Sequence, residues 1–178
     1  MKIRDWYFQG WERREDENGK KALVYTGEYY SFPRGASVKP PAGIMAASLT
    51  AVYLFVALLP PEGGMWHYAA IPQLLELIPI LYLIMGAARL LRVRDPMTFR
   101  DWYASWRRMK HASAWSVGFT AAMVLAEIAF LAFVGAEKIL PELAYLLGEL
   151  ICAALSVSLF RYIDRHPFSV SAERADKE

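Results

Sequence analysis

Hydrophobic positions in this chain neither alternate nor line up in narrow stripes. They fill whole stretches. Four runs are almost free of Lys and Arg: Gly43–Leu59, Ala69–Ala88, Ala114–Val134 and Ile139–Phe160. Each reaches or approaches the ~20 residues that an α-helix needs to cross a ~30 Å hydrocarbon core. Inside a bilayer an unpaired backbone amide is costly, so each run predicts a helix. The first run is the shortest. It lies behind a polar segment and has no cleavage site after it, so it is not expected to be a signal peptide.

The polar positions set the organisation. Of the 20 Lys and Arg, eight fall in residues 1–42, seven in the loop 89–113 and four from Arg161 onward. The two remaining loops hold only Lys138. Basic residues mark the cytoplasmic side of a membrane protein. The expected topology is therefore a multi-pass protein of the cell membrane with both termini and the middle loop in the cytoplasm. It divides into a segment 1–42, a membrane domain 43–161 and a tail 162–178. The expected fold is all-α, with four transmembrane helices as two tandem parallel hairpins.

Composition changes this picture little. The 178 residues are 56% hydrophobic and 21% charged, with a formal net charge of +2 that hides the segregation. The single cysteine, Cys152, falls in the fourth run, so no internal disulfide is expected. No lipidation signal is expected at either end.

Two patterns point to an internal duplication. The string Arg-Asp-Trp-Tyr occurs at Arg4–Tyr7 and again at Arg100–Tyr103, each time followed by Trp and an Arg-Arg pair. The ends of the second and fourth runs also match at a spacing of 69 residues. Pro72 falls on Pro141, Leu90 on Leu159, Arg92 on Arg161, Asp95 on Asp164 and Phe99 on Phe168. The two spacings differ, which an insertion within residues 12–42 accounts for.

The polar ends carry local signals. Asn18-Gly19 between aromatic flanks predicts a β-hairpin of Tyr7–Arg14 against Lys20–Tyr29. A lone hairpin is marginal in water, so it should rest on the membrane, on the middle loop or on a partner. Pro33–Pro41 predicts an extended linker. Thr98 with Asp101 resembles a capping box. Phe99, Trp102, Trp106 and Met109 recur at helical spacing among Arg100, Arg107, Arg108 and Lys110. That pattern predicts an interfacial amphipathic helix, anchored on the bilayer by Trp102, Trp106, Arg107 and Arg108, with Trp6 and Trp11 as anchors of the first unit.

Acids inside the apolar runs are the candidate chemistry. Ionisable groups there are costly and face a bundle interior. Glu76, Glu127 and Glu149 lie within the second, third and fourth runs, and Glu142 near the outer end of the fourth. Glu142, Tyr145, Glu149, Cys152 and Ser156 form one stripe of a helix. Ala46, Thr50, Tyr53 and Ala57 form a matching stripe on the first. Gln73 and Glu76 share a face between Pro72 and Pro79. Gly118, Ala122 and Ala126 suggest a close-packing face on the third helix. Glu76, Glu127, Glu149, Tyr145 and Tyr53 are the expected ion or substrate ligands. Polar groups also serve as interhelical glue, and that reading stays open.

Enzymatic function is not expected. His67, His111 and His166 have no nucleophile context, and no phosphate-binding loop or dinucleotide fingerprint occurs. No metal site, cofactor or nucleic-acid partner is expected. In architecture alone, four short helices with embedded glutamates resemble the small multidrug-resistance exporters. Those carry their key acid in the first helix, where this chain has none, and they lack the long cytoplasmic hairpin. The expectation is an assembly or accessory subunit of a membrane complex, either as a homo-oligomer or with a partner subunit. The alternative is a cation- or proton-coupled small transporter using the glutamates.

Overall fold

The computed structural model describes residues 10–15, 21–32, 35–59, 61, 67–166 and 168–171. Four long helices dominate: α1 (Lys39–Ala57), α2 (His67–Arg92), α3 (Phe99–Phe133) and α4 (Ile139–Asp164). All four are long and apolar enough to cross a membrane. Each packs against its neighbours in the chain, and α4 closes the ring against α1. Leu49, Leu83, Leu90, Met109, Met123 and Leu159 are fully buried along the ring's interior. Most of each helix still faces outward, as expected where lipid replaces water.

Helix boundaries follow local chemistry. The first helix begins at Lys39, four residues before the apolar run, because Pro40 and Pro41 sit in its first turn. Proline costs nothing there, since those amides have no helical partner. The linker expected over Pro33–Pro41 is therefore partly helix, with a 3-10 turn at Gly35–Val38 ahead of α1. Lys39 is buried and donates from Nζ to the Val93 carbonyl at 2.7 Å, satisfying an orphan acceptor just past the end of α2.

The expected interfacial helix has a different form. Residues 99–107 are helical but run without a break into the spanning helix, giving 35 residues, or about 52 Å of helix at the usual rise. Thr98 caps its start, accepting from the Asp101 amide at 3.3 Å, as the capping pattern predicts. A π-turn over Tyr103–Arg107 widens the helix. The Ser105 hydroxyl fills that turn by donating to the Asp101 carbonyl. Gly86 of α2 approaches the same place: a β-carbon on it would lie 2.7 Å from the Met109 side chain and 3.1 Å from the Ser105 carbonyl oxygen.

Two small sheets stand at one end of the bundle. Strands β1 (Trp11–Glu15) and β2 (Lys21–Tyr25) form the expected antiparallel hairpin, with Trp11 opposite Tyr25. Its Asn18-Gly19 turn and the first Arg-Asp-Trp-Tyr copy, with Trp6, lie outside the described residues. The second sheet has the order β4-β3-β5, in which β3 (Tyr29–Ser31) pairs antiparallel with β4 (Met97–Thr98) and β5 (Ser169–Ser171). One strand precedes α1, one joins α2 to α3, and one follows α4. All three therefore lie at the same end of the bundle, and successive helices must alternate in direction.

Aromatic rings seal this cap against the helix ends. Tyr30 stacks on Trp102 at 4.7 Å, and Phe32 meets both Trp106 and Phe168. Tyr25 ties the first sheet to α3: its hydroxyl accepts from the Phe99 amide at 3.1 Å and donates to the Glu28 carbonyl at 2.8 Å. Burial raises the Tyr25 phenol above its usual value, so it stays a neutral donor and acceptor. The hairpin thus rests on the middle loop.

Close packing falls on glycines other than those the sequence suggested. Gly118 faces outward, with nothing within 4 Å of an added β-carbon. Gly148 is where α4 meets α1, and a β-carbon there would lie 2.3 Å from Val56 Cγ2. Gly148→Ala should therefore destabilise the bundle by about 1–3 kcal/mol through overpacking. Gly118→Ala should be neutral or slightly stabilising. Thermal unfolding of the two purified variants in detergent measures the difference.

Candidate functional site

Burying a carboxyl group without a partner is among the most expensive arrangements a protein can hold. This bundle fully buries four carboxyls, and two of them, Glu76 and Glu149, make no hydrogen bond among the described residues. Glu76, Glu127, Glu142 and Glu149 are each 0% exposed. They come from α2, α3 and α4, and α1 contributes Tyr53, which is 2% exposed.

The acids fall into two linked groups. Glu76 and Glu149 are electrostatic neighbours across the α2–α4 diagonal, and both act on Tyr53 and Cys152. Neither oxygen of either carboxyl has a hydrogen-bond partner. Glu127 and Glu142 face each other from α3 and α4, close enough for their side chains to interact. Tyr145 joins the groups. It is fully buried and lies within electrostatic reach of Glu149, Glu127, Glu76 and Tyr53.

The tyrosines do not neutralise these acids. Tyr53 donates its hydroxyl to the Gln73 carbonyl at 2.7 Å. That carbonyl lies between Pro72 and Pro79, two prolines inside α2, of which Pro79 lacks the amide that the Leu75 carbonyl would otherwise meet. Tyr145 points its hydroxyl at Met123 Sδ, 3.7 Å away. Sulfur is a weak acceptor, so this phenol retains capacity for a stronger partner. Ser156, on the same face of α4, is buried with its hydroxyl oxygen unpartnered.

All five residues expected as ligands, Glu76, Glu127, Glu149, Tyr145 and Tyr53, thus lie in one buried region. The four-helix stretches around them contain no Lys or Arg. Among the described residues, no three His, Cys, Asp or Glu side chains are grouped so as to hold a metal ion. The stripe on α4 is buried throughout, from Glu142 to Ser156. On α1, Ala46 and Tyr53 face in, Thr50 is half-buried and bonded to its own helix at the Ala46 carbonyl, and Ala57 faces out.

The expected membrane anchors divide. Trp106 is 4% exposed and packs inside the protein against Phe32 and Phe168, so it does not face headgroups. Trp102 is half-buried under Tyr30, and Trp11 packs edge-on to Tyr25. Arg107 is exposed, 5.0 Å from the Tyr103 ring, and Arg108 is half-buried 5.3 Å from the Tyr82 ring. Asp101, in the second Arg-Asp-Trp-Tyr copy, accepts from Arg89 at 2.7 Å and pairs with its own cap Thr98. A charge at that position ties α2 to the start of α3. Sequence periodicity alone could not tell rings that meet lipid from rings that meet a strand more than 60 residues away.

The chain matches no family model, no curated protein and no solved structure.

If these carboxyls were structural glue, truncating one would leave its partner unsatisfied and cost about 1–3 kcal/mol. Since Glu76 and Glu149 make no such bond, Glu76→Leu and Glu149→Leu should leave the unfolding temperature unchanged or raise it. Thermal unfolding in detergent decides this, and a fall of several degrees in both variants would return them to a structural role.

Proposed function

We propose that this chain is a small multi-pass membrane protein that binds protons or a small cation at an acid cluster buried in its four-helix bundle, as a proton- or cation-coupled transporter does. The observation that carries this reading is the pair Glu76 and Glu149, fully buried, within electrostatic reach of each other and without a hydrogen-bond partner among the described residues. Interhelical glue would use its carboxyl oxygens. Groups kept unpartnered at such cost have a partner that comes and goes. The complete burial of the four acids corresponds to an occluded state, with access to either face requiring the helices to part. Pro72 and Pro79 in α2 mark where that helix can bend.

The accessory-subunit reading stands second. It is favoured by the β1–β2 hairpin, a two-stranded sheet to which no further strand is added among the described residues. An open strand edge is a standard place for a partner chain to add. A homo-oligomer fits either reading, because four helices leave little room for a private pathway.

Two further points support the membrane arrangement proposed here. The positive-inside rule assigns the capped end to the cytoplasm. Helices α2 and α4 also bury matching positions at the spacing of 69 residues: Glu76 with Tyr145, Ile80 with Glu149, Leu83 with Cys152, Ala87 with Ser156 and Leu90 with Leu159. A duplicated hairpin would place its buried face in the same register twice.

Carbodiimide labelling of the protein in lipid vesicles, with sites assigned by mass spectrometry, tests the binding reading. Labelling at Glu76 or Glu149 should change with pH and be blocked by an added cation, and Glu149→Gln should abolish ion-driven flux in the same vesicles. Labelling indifferent to pH and cations, with flux unaffected, would leave the accessory reading. Orientation has its own test, because Cys152 is fully buried and leaves the background silent. An impermeant maleimide should label Lys138→Cys on intact cells and Arg94→Cys only after permeabilisation.

A further inference from the structure

Outside the acid cluster, a groove of about 370 Å³ opens between α2 and α3. Its floor is apolar, formed by Ile78, Pro79 and Trp115, and its rim carries Tyr82, Arg108 and His111. Trp115 is 62% exposed and Ile78 47%, so the floor faces the surroundings rather than the bundle. The two halves of the groove differ in chemistry along the axis of α3. His111 lies about 33 Å along the helix from Phe133, close to the ~30 Å thickness of a hydrocarbon core. The basic rim therefore falls where α3 leaves its apolar run, and the apolar floor falls just below it.

Among the described residues no carboxylate compensates the charge at the rim. Arg89 is taken by Asp101, and Lys110 by Asp164. Arg108 has no carboxylate partner among the described residues. Its guanidinium lies over the Tyr82 ring, 5.3 Å from the centroid, which fixes it at the groove while leaving its donors available. Arginine donors held in a planar fork match a phosphate. A water-soluble anion would have no use for the apolar floor, and a neutral lipid would have no use for the fixed cation.

We infer that this groove is a binding site for a single anionic phospholipid from the leaflet at the capped end, with its phosphate on Arg108 and His111 and one acyl chain against Ile78, Pro79 and Trp115. The volume admits the headgroup phosphate and the upper part of one chain. The site seats a lipid against the helix that bears Glu76, yet it does not depend on that residue's role. Its failure would leave the carboxyl reading standing, and the reverse also holds.

Native mass spectrometry of the full-length protein, released from nonionic detergent and titrated with dioleoylphosphatidylglycerol or dioleoylphosphatidylcholine, tests the inference. The first phosphatidylglycerol should be retained at about five- to tenfold lower concentration than phosphatidylcholine. Arg108→Gln should remove that preference, while Arg165→Gln, at an exposed cation after α4, should keep it. Ile78→Trp, which fills the groove and changes no charge, should weaken retention of the first lipid and supplies the test if Arg108→Gln fails to fold. Equal retention of the two lipids would overturn the site. So would an equal loss in Arg108→Gln and Arg165→Gln, which would mean diffuse surface charge. Displacement of the lipid by millimolar glycerol 3-phosphate would make the ligand a soluble phosphate and overturn the lipid assignment.

Discussion

Carboxyl groups fully buried in helical stretches that hold no Lys or Arg set the terms for everything else in this bundle. An apolar helix ring needs no such groups to stand, because lipid-facing leucines and a few close-packed contacts suffice. Placing Glu76 and Glu149 at full burial within electrostatic reach of each other works against the fold. The surrounding structure holds them there with unusual thoroughness. Tyr53 is fixed by a bond to the α2 backbone instead of to an acid, and Tyr145 spends its hydroxyl on sulfur. Neither tyrosine hydroxyl is therefore given to Glu76 or Glu149. That arrangement suits a site that exchanges its partner better than it suits one that holds helices together.

The opposite end of the molecule is built on a different principle. There the stabilising contacts are ring against ring and strand against strand, and charges are paired with each other. Arg89 with Asp101 and Lys110 with Asp164 cross between elements at the cap. The contacts that tie elements together gather at the cap, whereas the unpartnered carboxyls lie away from it, midway along α2 and α4.

The helices were legible in the sequence because length and apolarity are one-dimensional properties. So were the acid stripe of α4, which periodicity alone predicts, and the Thr98 cap, which is local. The aromatic cluster was not. Trp102 and Trp106 have the spacing and basic neighbours of a lipid-facing helix, and only the pairing of β3 with β4 and β5 shows that Tyr30, Phe32 and Phe168 cover them. Strands of two or three residues leave no periodic trace. The close-packing glycine was misplaced for a related reason: small residues at Gly118, Ala122 and Ala126 permit close approach but do not say from which side a neighbour comes, whereas Gly148 alone meets Val56.

The three-stranded sheet also imposes an order on biosynthesis. Its central strand, β3, leaves the ribosome before any spanning helix, while its partners β4 and β5 follow only after two and four helices respectively. Ser31 waits for Ser169, 138 positions later, to form their hydroxyl contact. Phe168, which packs on both Tyr30 and Phe32, arrives only at the end of that interval. The sheet is completed only once the fourth helix has brought the chain back to the capped end, so its closure reports that all four helices are in place.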